Sequence, residues 1–322
     1  MRTDLMKLPG VGRLFRGRSA WSPAALALVA VLGAGCGADR AEPAPVVATT
    51  GFAADITRQL AGPDLPVAQL IPDAAGPHDY LPSAREREQV ADARLLVAMS
   101  PDLEQTFPIG EARARFFIAD HVGPLRRLGP TADESDHGPT GQDESDDDHA
   151  GIDPHVWTDP TRVARAVPAL ARRLARLDPA HADEIRGRAA AYVRRLEALD
   201  AEIRRLSAVV PPARRRLLGS HETLGYFADR YGFALLQGPF GQAPDAGASA
   251  GRLHRVIDAV RAARVPAVFA AEADDPKVLE QVGRETGAEV VDDLLISASD
   301  ERHRGYEASL RFTATRISEA LR

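Results

Sequence analysis

Several stretches of this 322-residue sequence carry side chains suited to holding a metal cation. The densest runs from Asp133 to Asp159. It opens with Asp133, Glu134, Asp136, His137, Asp143, Glu144, Asp146, Asp147, Asp148 and His149, and closes on Asp153-Pro154-His155-Val156-Trp157-Thr158-Asp159-Pro160. The first half carries eight like charges and no large apolar side chain, so it cannot build a core of its own. Its composition fits a solvated loop or a loose collector of cations. In the second half a tryptophan, a valine and a proline give His155 rigid surroundings, which suits a core histidine bonded to a carbonyl or a ligand. His78 lies in Gly76-Pro77-His78-Asp79-Tyr80-Leu81-Pro82, His221 ends Leu217-Leu218-Gly219-Ser220-His221, Glu272 follows Ala267–Ala270, and Asp292-Asp293 follow Glu289–Val291. Zinc takes imidazole nitrogen at about 2.0–2.1 Å and carboxylate oxygen at about 2.0–2.2 Å, usually four ligands in a tetrahedron. Three histidines and one carboxylate satisfy that set without cysteine, although spacing alone does not bring them together. His121, His181, His254 and His303 lack such a setting and read as surface or helix residues.

The elements that must position these residues alternate strand and helix. Val46–Thr50, Val67–Ile71, Leu95–Met99 and Phe116–Ala119 are short buried-strand patterns. Phe52–Ala61, closed by Gly62-Pro63, and Ser83–Ala93, with Ser83 and Glu86 spaced as a capping box, are helical. His78 follows the second strand, where ligand sites of open parallel sheets lie. From Pro160 the apolar spacing becomes that of a helix through Leu177, broken by Asp178-Pro179. Ile185, Ala189, Tyr192, Leu196, Leu199, Ile203 and Leu206 then predict a long amphipathic helix over Ala182–Ser207, about 39 Å in length. A dimeric coiled coil would use the same seam, but inside an α/β chain packing on the chain's own domain is expected, hence a monomer. Past Pro211-Pro212 the alternation resumes, with strands at Leu217–His221, Ala234–Gln237, Ala267–Ala270 and Glu289–Val291 and helices at Thr223–Tyr231, Ala250–Arg264, Pro276–Thr286 and Tyr306–Leu321. The class is α/β: two lobes, each a mainly parallel sheet flanked by helices, joined by one long helix. The expected division is a signal peptide over 1–35, a tether over 36–45, a first lobe over 46–180 with its acidic loop at 131–152, a connecting helix over 181–210, and a second lobe over 211–322.

The formal net charge is −6, and the acidic tract supplies eight of the acids, so the remaining body is nearly neutral. No basic stripe with interleaved aromatics appears, which argues against nucleic acid as a partner. At the N-terminus, Arg2, Lys7, Arg13, Arg16 and Arg18 precede an apolar run over Ala24–Ala34 that is shorter than the roughly 20 residues needed to span a bilayer. This is the pattern of an export signal. Leu32-Gly33-Ala34-Gly35-Cys36 resembles a lipobox, with leucine one place further from the cysteine than usual. Cys36 is the sole cysteine, and a lone thiol in an exported chain is best explained as a lipid attachment site, with an incidental cysteine after an ordinary signal as the alternative.

Taken together, Pro77-His78-Asp79-Tyr80, Asp153-Pro154-His155-Val156-Trp157, Ser220-His221-Glu222-Thr223-Leu224-Gly225-Tyr226-Phe227, Phe269-Ala270-Ala271-Glu272 and Gly287-Ala288-Glu289-Val290-Val291-Asp292-Asp293-Leu294 resemble the metal-specific solute-binding proteins of bacterial zinc and manganese ABC importers. The resemblance covers Val46 to Leu321. It implies metal held between two lobes by His78, His155, His221 and Asp292, with Glu272 or Asp293 as supporting or alternative donors. It also implies that the acidic tract is the loop of zinc-specific members, His137 and His149 giving weak auxiliary capture. Two departures stand out. Gly247-Ala248-Ser249 replaces the family's Glu-Pro-Ser, and Asp293 occupies a place usually taken by proline or serine.

The function implied is extracytoplasmic capture of Zn2+ and its delivery to an ABC permease in the membrane, from a lipid-anchored position. Manganese is the rival cargo, but a histidine at 221 favours zinc, because imidazole suits zinc and carboxylate suits manganese. A zinc hydrolase is the alternative from another class. It would need an open coordination position and a general base, a role open to Glu272, yet no His-Glu-x-x-His motif is present.

Overall fold

The computed structural model describes residues 45–73, 75–78, 80–104, 107, 109–128, 151–219, 222–236, 250–270, 276–297 and 299–322. These residues fall in one compact unit, 43–322. Cys36, His137, His149, His221 and Glu272 lie outside the described residues, as do the expected signal and the tether up to residue 44.

The first sheet is all parallel, in the order β2-β1-β3-β4, from β1 (Val46–Ala48), β2 (Val67–Gln69), β3 (Leu95–Ala98) and β4 (Arg115–Phe117). Successive side chains of a strand point to opposite faces, and a parallel sheet is covered on both. Val46, Ala48, Leu95 and Val97 accordingly enter the large core, while Val47 and Leu96 enter a smaller one with Leu70, Val90 and Phe107. The connections are α1 (Gly51–Ala61), capped by Thr50, and α2 (Ala84–Asp92), whose Ser83–Glu86 capping box forms as its spacing predicts.

The second lobe pairs β5 (Arg216–Leu218) with β6 (Ala234–Leu236), and β7 (Ala267–Phe269) with β8 (Glu289–Val291), all parallel. A parallel bridge from Gly219 to Phe269 sets β5 beside β7. Helices α5 (Gly225–Tyr231), α6 (Ala250–Ala263), α7 (Pro276–Thr286) and α8 (Tyr306–Ala320) complete it. Helices α3 (Pro160–Leu177) and α4 (Ala182–Ala208) follow the first sheet in the chain and pack on each other. The class is therefore the α/β arrangement of parallel sheets flanked by helices that the alternation predicts.

Helix α4 buries one seam, from Ile185 through Tyr192 and Leu199 to Ile203. Its other sides are tied to elements of both lobes. Arg188 donates to the Leu60 and Ala61 carbonyls at the end of α1, each at 2.7 Å. Arg230 of α5 forms a two-pronged bond to Asp200, at 2.8 and 2.7 Å, and Arg311 of α8 pairs with Glu202 at 2.9 Å.

At the C-terminal edge of the first sheet, a fully buried Glu104 holds two strand ends together. Its carboxyl accepts from the Thr49 hydroxyl at 2.6 Å and from the Met99 and Ser100 amides at 3.0 and 3.1 Å. Burial raises its pKa from 4.5 to about 7 despite these hydrogen bonds. The folded chain thus holds this proton more tightly than the unfolded chain. The resulting stability is fully present below about pH 4.5 and is lost as pH rises through about 7. The loss between those limits is on the order of 3 kcal/mol. Urea denaturation of metal-free protein from pH 4.5 to 8 should show this decline in the parent and a flatter profile in Glu104→Gln. Parallel profiles would show that Glu104 does not titrate in that range.

Candidate metal centre

His155 sits in a segment whose backbone is fixed from both sides. Upstream, Arg127 and Ile152 form an antiparallel bridge, and the Asp153 amide donates to the Arg126 carbonyl at 2.8 Å. Downstream, Val156–Thr158 make a short 3-10 turn and Asp159 caps α3, accepting from the Thr161 amide at 2.9 Å. Trp157 is buried and its Nε1 donates to the Ile296 carbonyl at 2.6 Å, while the Tyr306 hydroxyl donates to the Trp157 carbonyl at 2.5 Å.

Asp153 is fully buried and does most to prepare the histidine. Its Oδ1 lies 2.8 Å from His155 Nδ1 and accepts the His155 amide at 3.0 Å, while its Oδ2 pairs with Arg126 at 3.2 Å. A carboxylate accepts, so Nδ1 carries the proton and Nε2 presents a lone pair, the arrangement that raises the basicity of a metal-binding imidazole. The Tyr226 hydroxyl of α5 closes the set, accepting the Arg126 amide at 2.8 Å and donating to the Asp153 carbonyl at 2.9 Å. Gly225 is needed here, since a Cβ would overlap the Asp153 carboxylate and the Arg126 guanidinium.

His78 comes from the loop after β2. Asp73 fixes the start of that loop, accepting from Gln69 at 2.6 Å and from the Ser299 hydroxyl at 2.9 Å. Tyr80 fixes its end through Glu86, at 2.6 Å. The result is a 3.4 Å separation between His78 Nε2 and His155 Nε2. Two ligands at 2.0–2.1 Å from one tetrahedral zinc stand about 3.3–3.4 Å apart. Without metal, His78 Nε2–H can donate to the His155 lone pair. Moving that proton to Nδ1 turns both lone pairs toward one point. His155 is buried whereas His78 is exposed, so the pair is open to solvent on the His78 side.

Of the four expected ligands, the structure brings His78 and His155 together. Asp292 follows β8 and is exposed. Among the described residues, which leave out His221 and Glu272, no group of three His, Cys, Asp or Glu side chains is placed to hold a metal. Asp293 is engaged elsewhere, both its oxygens accepting from Arg316 Nε at 3.0 and 2.9 Å. His121 stacks on Phe116, while His181 and His303 bond to Asp178 and Asp300, which agrees with their reading as surface or helix residues. Sequence reasoning missed Arg126 altogether, and it quoted Asp153 and Tyr226 without assigning them a task. The rigid Asp-Pro-His context was the only signal for Asp153.

Three comparisons bear on this geometry. The family model described as "ZnuA: Zinc-uptake complex component A periplasmic" matches residues 46–320. The chain is 29% identical over 254 residues to the iron-binding protein YfeA of Yersinia pestis, covering 78% of this chain and 76% of that protein. It is 30% identical over 224 residues to the zinc-binding protein TroA of Treponema pallidum, covering 70% and 68%, and 24% identical over 277 residues to the manganese-binding lipoprotein MntA of Halalkalibacterium halodurans, covering 84% and 87%. The solved structure of the Treponema pallidum periplasmic zinc-binding protein TroA superposes with a TM-score of 0.72 at 24% identity, covering 86% of this chain and 98% of that one, and confirms the two-lobe fold. Members of the matched family are metal-binding transport proteins and not enzymes, which sets aside the hydrolase alternative. A chain matched by that model over nearly its whole length, with two imidazoles aimed at one point, belongs to the ZnuA family of extracytoplasmic, divalent-metal-binding proteins that serve ABC importers.

Proposed function

We propose that the protein captures zinc outside the cytoplasm with His78, His155, His221 and Asp292 and delivers it to its membrane permease. The observation that carries this reading is the Nε2–Nε2 separation of 3.4 Å, with His155 held in the ligating tautomer by Asp153. Three imidazoles and one carboxylate favour zinc over manganese, which prefers oxygen donors. Arg316 occupies Asp293 and so supports Asp292 as the acidic ligand. Glu272 and Asp293 are left as supporting or alternative donors. The proposed division is a first lobe over 46–180, a connecting helix over 181–210 and a second lobe over 211–322, acting as a monomer. Within it, His137 and His149 of the acidic tract raise local zinc by weak capture. Cys36 is the proposed lipid anchor, a role in keeping with the naming of MntA as a lipoprotein.

Metal analysis tests the cargo. Protein expressed in medium containing both zinc and manganese, then freed of loosely held ions, should retain about one zinc per chain, the stoichiometry of a single closed four-ligand site. A site filled with manganese would overturn the choice of metal, and a chain retaining neither would overturn the site.

A further inference from the structure

Helix α3 holds five arginines and no acid in eighteen residues. Arg172, Arg173 and Arg176 stand near its end, beside β4, the edge strand of the first sheet. Arg173 donates to the Arg115 carbonyl of β4 at 3.4 Å, and a cleft of about 290 Å³ opens between the two elements. Arg115, Arg172, Arg173, Arg176, Asp120 and His121 line it. It is distinct from the metal centre. Along α3 these arginines lie some 18–24 Å from the helix start that adjoins His155.

Four arginines and one aspartate line this cleft. Among the described residues, Arg115, Arg172 and Arg176 have no ion pair. Arg172 and Arg176 are four apart on one helix face, where like charges repel. The helix dipole accounts for Arg176 in the last turn, but not for Arg115, which comes from a different element. The surplus is local, since the whole chain is net negative. Planar guanidinium forks from two elements around one concavity match a tetrahedral oxyanion, which accepts paired N–H bonds from each.

We propose that this cleft is a phosphate site, taking the phosphoryl group of free phosphate or of a phospholipid headgroup. Calorimetry of the metal-free full chain with inorganic phosphate examines the first source. Co-sedimentation with phosphatidylglycerol vesicles, against phosphatidylcholine vesicles, examines the second. The comparison is with Arg172→Ala/Arg176→Ala, which keeps the same N-terminus and alters only exposed side chains. An unchanged thermal midpoint confirms that the variant folds. Phosphate binding in the parent, weakened at least tenfold in the variant, would establish a free-phosphate site. Binding confined to anionic vesicles, weakened tenfold in the variant and by added salt, would establish a headgroup site. If the parent binds neither probe, or the variant binds as well as the parent, the cleft is a solvated arginine face and the proposal fails.

Discussion

Zinc binding by His155→Ala should fall by more than the roughly 10–100-fold that loss of an outer-shell partner costs, because a primary ligand disappears. The variant also leaves the Asp153 carboxylate buried without the imidazole it orients at 2.8 Å. Competition with a chromophoric chelator reads the change directly. Asp153→Asn keeps the ligand but replaces the charged acceptor opposite Nδ1 with a neutral amide, which accepts more weakly and can turn its NH2 to the ring, so its deficit should lie within the 10–100-fold range. Undiminished binding by His155→Ala would remove this residue from the site. A deficit in Asp153→Asn equal to that of His155→Ala would mean that Asp153 does more than orient the imidazole.

The largest effect on stability is expected at Trp157. The side chain is 2% exposed and packs between the first lobe and the 292–305 segment, where its Nε1 bonds the Ile296 carbonyl. Trp157→Ala removes that packing at a cost of about 3–5 kcal/mol. It also leaves a buried carbonyl without its donor. Trp157→Phe retains most of the apolar contact and should lose about 1–3 kcal/mol, mainly from the missing bond. Urea unfolding followed by far-UV circular dichroism gives both numbers without relying on tryptophan fluorescence. A loss below about 1 kcal/mol for the alanine variant would show that the segment is held by its other contacts, Ser299 to Asp73 and Tyr306 to Asp55.

Local signals located the elements well and the supporting interactions poorly. The bounds of α7 and β8 match their periodicity and their Gly287 stop, and the Ser83–Glu86 box starts α2 as expected. Where local rules compete, bounds slip. Phe116–Ala119 reads as a strand, but the chain leaves the sheet after Phe117 and Ala119 begins a 3-10 turn. Thr223 reads as a helix start, but a 3-10 turn occupies Glu222–Leu224 and α5 begins at Gly225, where the Asp153–Arg126 pair leaves no room for a side chain. His78 and His155 were legible through rigid motif context. The groups that prepare them were not. Tyr226 meets Asp153 across 73 residues, and Ser299 meets Asp73 across 226. Such pairs follow no spacing rule and exist only once the lobes have packed.

The bridge from Arg127 to Ile152, with Leu128 donating to the Gly151 carbonyl at 2.6 Å, has a consequence for how this lineage can change. It joins the two ends of residues 129–150 before the chain reaches Asp153. The entropy of closing a loop grows only with the logarithm of its length, about 0.6 kcal/mol for each doubling. Insertions and deletions between those ends therefore reach the folded body as a small, nearly constant charge on stability. The register of Asp153 and His155 is insulated from them. Natural selection can lengthen, shorten or rewrite the acidic insert to suit the metal supply of a habitat while the ligand geometry stays under separate control.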